Sequence, residues 1–466
     1  MDVTKGIDVN GKPYNRGLLI LAVLLGGFMT VLTETLLNNG LPTISRSLHV
    51  DMATVQWLST GYLLAIGIMV PISALLLYKF SSKSLYLSSL VIFLAGTVLA
   101  YLAPNFALLL TGRIIQAISV GIIMPFMQNI MVLIFPANQR GMAMGLTGIV
   151  VGLAPAIGPT LSGWIVDHAT WRDLFGLLIP VTVVVILLAA VGMRKLIVTT
   201  NPKLDIWSVL YSTVGFGGIL YGFSTISGGN LWLSLGALIV GILGVWFLIR
   251  RQLKMTTPML DVRVFKSHTF ALTTWLSSLS NMSLLGMQLL VPLYLQSVFQ
   301  VSALTAGLMM LPGALMMAIV NPIAGKLFDR YGIRTLAIIG FSLFTLATVP
   351  FVFFDQHTAL WVVTLTYAVW MAGISLVVMQ VATAGINDLE QRQIAHGNAI
   401  NTMARQVAAA IATALLISIT ALGAQAYGGP NTILAQLFGY RLAFGTLVVV
   451  SVIAWLGGFR LKRRAA

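Results

Sequence analysis

Apolar stretches of about twenty residues follow one another along almost the whole chain, separated by short polar connectors. A helix needs about 20 mostly apolar residues to cross a bilayer, so the pattern predicts about fourteen spans. The first seven run over 16–40, 56–78, 84–103, 106–134, 142–164, 174–194 and 206–226. The rest run over 231–249, 269–297, 303–324, 334–354, 358–384, 398–421 and 438–459. The turn Ser227–Asn230 joins the least distinct pair. The polar leader before residue 17 precedes a run too long for a signal peptide, so the first span is expected to be retained.

Composition agrees with this pattern. Of 466 residues, 58% are hydrophobic and only 8% charged, and mean hydropathy is +0.95. A soluble core of this length cannot hide so much apolar surface behind so few charges. The chain contains no cysteine, which excludes disulfide and thiol chemistry. Its five histidines stand singly (His49, His168, His268, His357 and His396), so no metal site is expected.

The net charge of +15 raises the question of nucleic acid, but its distribution answers otherwise. Nearly all lysines and arginines fall on one side of the predicted layout. The other side holds Arg46, Arg172 and Arg441, while Arg113 and Arg405 fall within spans. This asymmetry places both termini in the cytoplasm. No connector is long enough for a soluble domain, so function is expected within the bundle.

Three landmarks recur about 250 residues apart. Leu41-Pro42 is echoed by Val291-Pro292, Tyr78–Lys83 by Asp329–Arg334, and Gln139–Gly145 by Gln391–Gly397. The repeat divides the chain into 1–195, an inserted two-helix segment 196–266, and 267–466. Parallel six-span halves around a midplane cavity are a known transporter plan.

Four motifs carry a family resemblance. GIVVGLAPAIGPTLSG puts Gly148, Gly152, Pro155, Gly158, Pro159 and Gly163 at helical spacing, which suits close helix approach and bending. LLLTGRIIQAISVG places Arg113 inside a span, about 10 Å from its end. GKLFDRYGIR supplies Gly325, Asp329, Arg330, Gly332 and Arg334, whose first-half counterpart has Tyr78 at the acid position. MTVLTETLLNNGLP carries Glu34, the one acid of twelve well inside a predicted span, about 27 Å from the cytoplasmic start. Together these resemble the major facilitator superfamily. The opening motif, WLSTGYLL and WRDLFG are similar to its fourteen-span drug:proton antiporters of the EmrB/QacA type, nearest the lincomycin-exporter branch. That family commonly has its acid at the position of Thr33.

The resemblance implies an all-α, two-bundle major facilitator fold and proton-coupled multidrug efflux from a bacterial cell membrane. It implies small amphipathic substrates, protons and lipid as partners, a monomer, and no cofactor beyond the proton gradient. Glu34 is the expected protonation site and Arg113 its modulator. Thr30 and Asn38 share the face of Glu34 at helical spacing. Candidates for the substrate wall are Asn38, Gln56, Trp57, Tyr62, Gln128, Asn129, Asn281, Gln288, Tyr294, Gln380 and Arg405. Rival readings are export of a physiological lipid, peptide or metabolite, or of neutral or anionic compounds, a membrane enzyme, or a sensor. No paired intramembrane acids or His-Asp arrangement favours the enzyme, and the short connectors leave no room for a sensor's output domain.

Overall fold

The computed structural model describes residues 5–9, 11–37, 40–199, 205–225, 231–255, 258–427 and 432–461. Fourteen of its helices are long and apolar enough to cross a membrane. The first bundle comprises α1 (Arg16–Leu36), α2 (Leu41–Leu48), α3 (Met52–Lys79), α4 (Ser82–Tyr101) and α5 (Phe106–Ile134), followed by α6 (Arg140–His168), α7 (Asp173–Gly176) and α8 (Leu178–Gly192). A hairpin follows, α9 (Ile206–Thr225) and α10 (Leu231–Lys254). The second bundle comprises α11 (His268–Ser297), α12 (Ala303–Tyr331), α13 (Ile333–Phe353), α14 (Leu360–Ser375), α15 (Gln380–Asn387), α16 (Ile394–Ala426) and α17 (Ile433–Gly458). Both described chain ends and most basic connectors share one end of the bundle, the basic-loop face; the opposite end is the far face. The Ser227–Asn230 turn and Lys203, Lys462, Arg463 and Arg464 lie outside the described residues.

Polar residues just before the helices stop the chain from fraying. The side chains of Asn15, Asp51, Ser81, Asn105, Ser267, Ser302 and Thr432 each accept from a backbone N–H in the first turn of the following helix. Separate apolar cores hold the two bundles, one including Met29, Tyr86 and Phe126, the other Phe341, Phe344 and Trp370. The α9–α10 hairpin packs through small residues. A Cβ on Gly241 would lie 2.6 Å from the Ile219 nitrogen, so only glycine permits this approach. The hairpin rests on α3 and α16, touching both bundles.

The structure departs from the sequence expectations in three places. The first span ends at Leu36 and a separate helix, α2, begins at Leu41, so Pro42 opens a helix where its repeat partner Pro292 lies inside one. The expected span 358–384 is two helices separated at residues 376–379. The polar leader forms a two-stranded ribbon, β1 (Lys5–Ile7) against β2 (Pro13–Asn15). Its turn carries Gly11 at φ +75°, and the Asn-Gly pair there is the sequence signal that marks it.

One ion pair ties the hairpin to the connector before it. Arg251 Nε lies 2.6 Å from Asp205 Oδ2, and Asp205 also accepts from the Ser208 backbone at 3.2 Å. The Arg251 hydrogen bond holds the Asp205 carboxyl down at about 2, below its ordinary 3.8. A depressed carboxyl adds stability that is complete above about pH 4 and lost as the pH falls through 2. Hydrogen exchange should therefore be slower at Val209 in wild type than in Asp205→Asn at pH 5. That difference should fade as the pH falls through about 2.

Candidate functional site

Arg113 enters the first bundle from α5, seven residues from the far end, and is 1% exposed. Its Nη1 donates to Gln116 Oε1 at 3.0 Å and to the Thr33 carbonyl at 3.4 Å, and its Nε donates to the Leu58 carbonyl at 3.5 Å. The guanidinium lies over the Tyr62 ring, 3.8 Å from its centre. Gln116 in turn donates to Thr97 at 2.8 Å, and Thr97 to the Phe93 carbonyl at 2.7 Å. A buried arginine is thus held by three acceptors and an aromatic face, which offsets much of its desolvation.

Glu34 sits in the last turn of α1, half-buried and within electrostatic range of Arg113 and Tyr62. Among the described residues it has neither an ion-pair nor a hydrogen-bond partner. The reason is helical geometry. Arg113 reaches residue 33, where it finds a carbonyl; one residue on is about 100° around the helix. Thr33 and Thr30 spend their hydroxyls on the carbonyls of Met29 and Gly27. Asn38 lies outside the described residues.

The wall candidates separate into groups. Tyr62 belongs to the Arg113 site. Gln56 is exposed, and Trp57 stacks on Tyr221 of the hairpin at 5.8 Å, so both stand at the outside of the first bundle. Gln128 accepts from Thr402 at 3.3 Å, and Asn129 accepts from Asn398 at 2.6 Å. These two therefore join α5 to α16. Asn281 donates to the Arg405 carbonyl at 3.0 Å. Gln288 is half-buried on α11. Tyr294 is packed edge-on against Phe299, Tyr440 and Phe444. Gln380 is fully buried, its amide oriented to donate to the Ser375 carbonyl at 3.3 Å and accept from Gly325 N at 3.2 Å. Arg405 lies eleven residues into α16, about 17 Å from its start. That is one third of the way along this 33-residue helix.

The glycine motif packs as its spacing suggests. A Cβ on Gly152 would meet Met317 Cγ at 2.5 Å, Gly148 faces Asn321, and Gly158 faces Thr35 beside Glu34. Pro155 lies within α6, Gly163 is half-buried near its far end, and the Pro159 side chain is outside the described residues. Nearer the basic-loop face, Gly141 and Gly325 leave no room for any side chain between α6 and α12.

At that closure Asp329 accepts from the backbone N–H groups of Gly141 at 2.8 Å and Met142 at 2.9 Å. These are the second and third amides of α6, in its first turn, where the helix dipole favours an anion. Gly332 turns the chain into α13 at φ +77°. Arg334 lies half-buried in the first turn of α13, and Arg330 is exposed over Tyr331. The repeat counterpart works with different chemistry: Tyr78 donates its hydroxyl to the Arg392 carbonyl at 3.0 Å and stacks on His396 at 5.8 Å. Arg140 donates to Asn387 at 3.1 Å. Among the described residues, every hydrogen bond recorded between the two bundles lies toward this end, so the structure is closed at the basic-loop face. A cleft of about 630 Å³ reaches Asp329 from outside that closure.

Gln116, Thr97, Asn398 and Thr402 were not singled out from sequence. Gln116 had a signal, lying one turn after Arg113; the others needed the fold. Replacing Gln116 with Leu strands an Arg113 donor and should cost about 1–3 kcal/mol. Thermal unfolding in detergent should show a clearly lower transition for Gln116→Leu than for Ile114→Leu, an exposed neighbour on the same helix.

Known proteins carry the same plan. Residues 23–413 match the model of the Major Facilitator Superfamily. The uncharacterized MFS-type transporter YcnB of Bacillus subtilis is 44% identical over 98% of this chain and 97% of its own. The lincomycin resistance protein LmrB of the same organism is 38% identical over 96% and 95%. The solved structure of the human organic anion transporter MFSD10 superposes with a TM-score of 0.68 at 15% identity, covering 95% of this chain and 99% of that one. The chain belongs to the Major Facilitator Superfamily, and it is a multi-pass membrane transporter rather than an enzyme.

Proposed function

We propose that the protein is a proton-coupled exporter of the fourteen-span drug:proton antiporter type, moving lipophilic cationic or amphipathic compounds out across a bacterial cell membrane. One observation carries this reading: Glu34 is an intramembrane carboxylate with no bonded partner among the described residues, beside an arginine whose Nε and Nη1 bond to other acceptors. Such an acid is free to take and release a proton, and a substrate's charge competes for the same place. The positive-inside asymmetry supports a cytoplasmic basic-loop face, and the likeness to LmrB supports a drug-type substrate. Residues 1–195 and 267–466 are the moving halves, with 196–266 inserted between them, and the monomer is the working unit.

The test is transport by the purified protein in liposomes carrying an inward-acid proton gradient. Adding a lipophilic cation or lincomycin should dissipate the gradient. Gradient decay that no compound in a cationic, neutral and anionic panel accelerates rejects the reading. A second reading, export of a physiological lipid, peptide or metabolite, draws support from Arg405, a buried cation poorly suited to a cation-only cavity.

A further inference from the structure

The second bundle holds a charge that the mechanism above does not use. Arg405 is 9% exposed, and its guanidinium makes no ion pair and no hydrogen bond among the described residues. Its Nε is buried without an acceptor. One turn earlier on the same helix, the Nδ2 of Asn401 is also buried without an acceptor. Neighbours on α11 bond the amide of Asn401 and the backbone of Arg405. Ser277 donates to Asn401 Oδ1 at 3.1 Å, which leaves Nδ2 as the end of the amide without a partner. Asn281 binds the Arg405 backbone carbonyl. The result is an excess of donors with a formal positive charge, one third of the way along α16, with no acceptor among the described residues.

Unpaired buried cations are costly and orphaned donors are rare in folded proteins. Arg113 shows how this chain satisfies an arginine it needs for structure: acceptors on three sides and a ring. Arg405 receives none of that. Its place also matters. The Asn129–Asn398 and Gln128–Thr402 bonds lie about 6–12 Å along α16 and Arg405 about 17 Å, so the arginine stands directly behind the polar closure. Parting of those bonds would uncover the arginine toward the basic-loop side.

We propose that Arg405 and Asn401 form a docking point for an oxyanion, a carboxylate or phosphate carried on an otherwise apolar substrate. A guanidinium and an amide offering N–H groups side by side suit two oxygens of one such group. Binding also cancels the charge of Arg405, which lowers the cost of enclosing the substrate in the bundle. The proposal rests on the transport reading and narrows its amphipathic substrates to those that carry an oxyanion, recognised in the second bundle, while Glu34 handles protons in the first.

Rhodamine B and its ethyl ester provide the test, because they share one lipophilic, cationic xanthylium dye and differ in whether its carboxylate is free. Equilibrium binding to the full-length protein in lipid nanodiscs is read by fluorescence anisotropy. Wild type should bind the acid about tenfold tighter than the ester. Arg405→Gln should bring the acid down to the ester's affinity while leaving the ester within about twofold, which also reports that the variant is folded. Arg405→Lys should keep part of the preference, and Asn401→Ala should weaken the acid selectively. Equal binding of acid and ester by wild type overturns the proposal, as does an equal loss of both in Arg405→Gln. Gradient-driven efflux of the acid is measured in parallel. Selective binding without efflux leaves the oxyanion site standing and rejects the transport reading; efflux with no acid preference does the reverse.

Discussion

Glu34→Gln is expected to abolish gradient-driven efflux while leaving the protein folded and able to bind its substrate. The reasoning separates two roles that mutation usually confuses. Breaking a buried ion pair leaves a naked charge behind and costs about 3–5 kcal/mol. Here nothing is left naked, because Arg113 keeps Gln116, the Thr33 and Leu58 carbonyls and the Tyr62 ring in the variant. The fold should therefore lose less than about 1 kcal/mol. What disappears is, among the described residues, the one carboxyl group within that corner of the bundle. Efflux driven by a proton gradient in liposomes should fall to the level of empty vesicles, while binding stays within about threefold of wild type. Glu34→Asp should retain coupling at a reduced rate. Wild-type proton-driven efflux in Glu34→Gln would refute the assignment, and a collapse of thermal stability would make Glu34 a structural residue instead.

The legible part of this protein was the part that lipid dictates. A bilayer requires long apolar helices and allows little else, so composition alone separates fourteen spans from their connectors. Motifs with fixed spacing also translated well: glycines one turn apart on α6 lie against Asn321 and Met317 of α12, as close packing requires. Polar residues within spans were harder. Gln128 and Asn281 have the same chemistry whether they line a cavity or bond across to another helix, and only the neighbouring helix decides. Trp57 illustrates the same limit. Its helix position is compatible with the centre or the periphery, and the inserted hairpin, through Tyr221, settles it. The broken helix at residues 376–379 has no proline to announce it. Glu34 shows the opposite case. Its displacement by one residue from the commoner family position is visible in sequence, but its consequence, an arginine bound to a carbonyl in place of a carboxylate, is visible only in three dimensions.

The two halves of the closure should respond unequally to mutation, and Asp329 should dominate. Its carboxylate takes two amides at the start of α6, where the dipole adds to each bond. Bonds to a charged acceptor are worth about 1.5–3 kcal/mol, and about 1.4 kcal/mol is a tenfold shift in a two-state equilibrium. Asp329→Asn keeps the shape, removes the charge and leaves one amide facing a donor, and the cleft beside it lets water take over the abandoned groups. The bundle should then open at the basic-loop face at least about tenfold more often. Tyr78 makes a single neutral hydrogen bond to Arg392, worth about 1 kcal/mol, so Tyr78→Phe should shift the same equilibrium less than about fivefold. The chain has no cysteine, so a single Ala399→Cys reporter is unambiguous. Ala399 is fully buried on α16 near that face, and alkylation by a membrane-impermeant maleimide measures how often it is uncovered. Gly325→Ala provides an arm without any change of charge, since its Cβ would press on the Gly141 carbonyl and hold α6 and α12 apart. Faster labelling in Asp329→Asn and Gly325→Ala, with little change in Tyr78→Phe, places the closure in the α6–α12 contact. Equal acceleration by Asp329→Asn and Tyr78→Phe would mean that the two bundles are held by the sum of their polar contacts, and that the acid at the end of α12 has no privileged part in it.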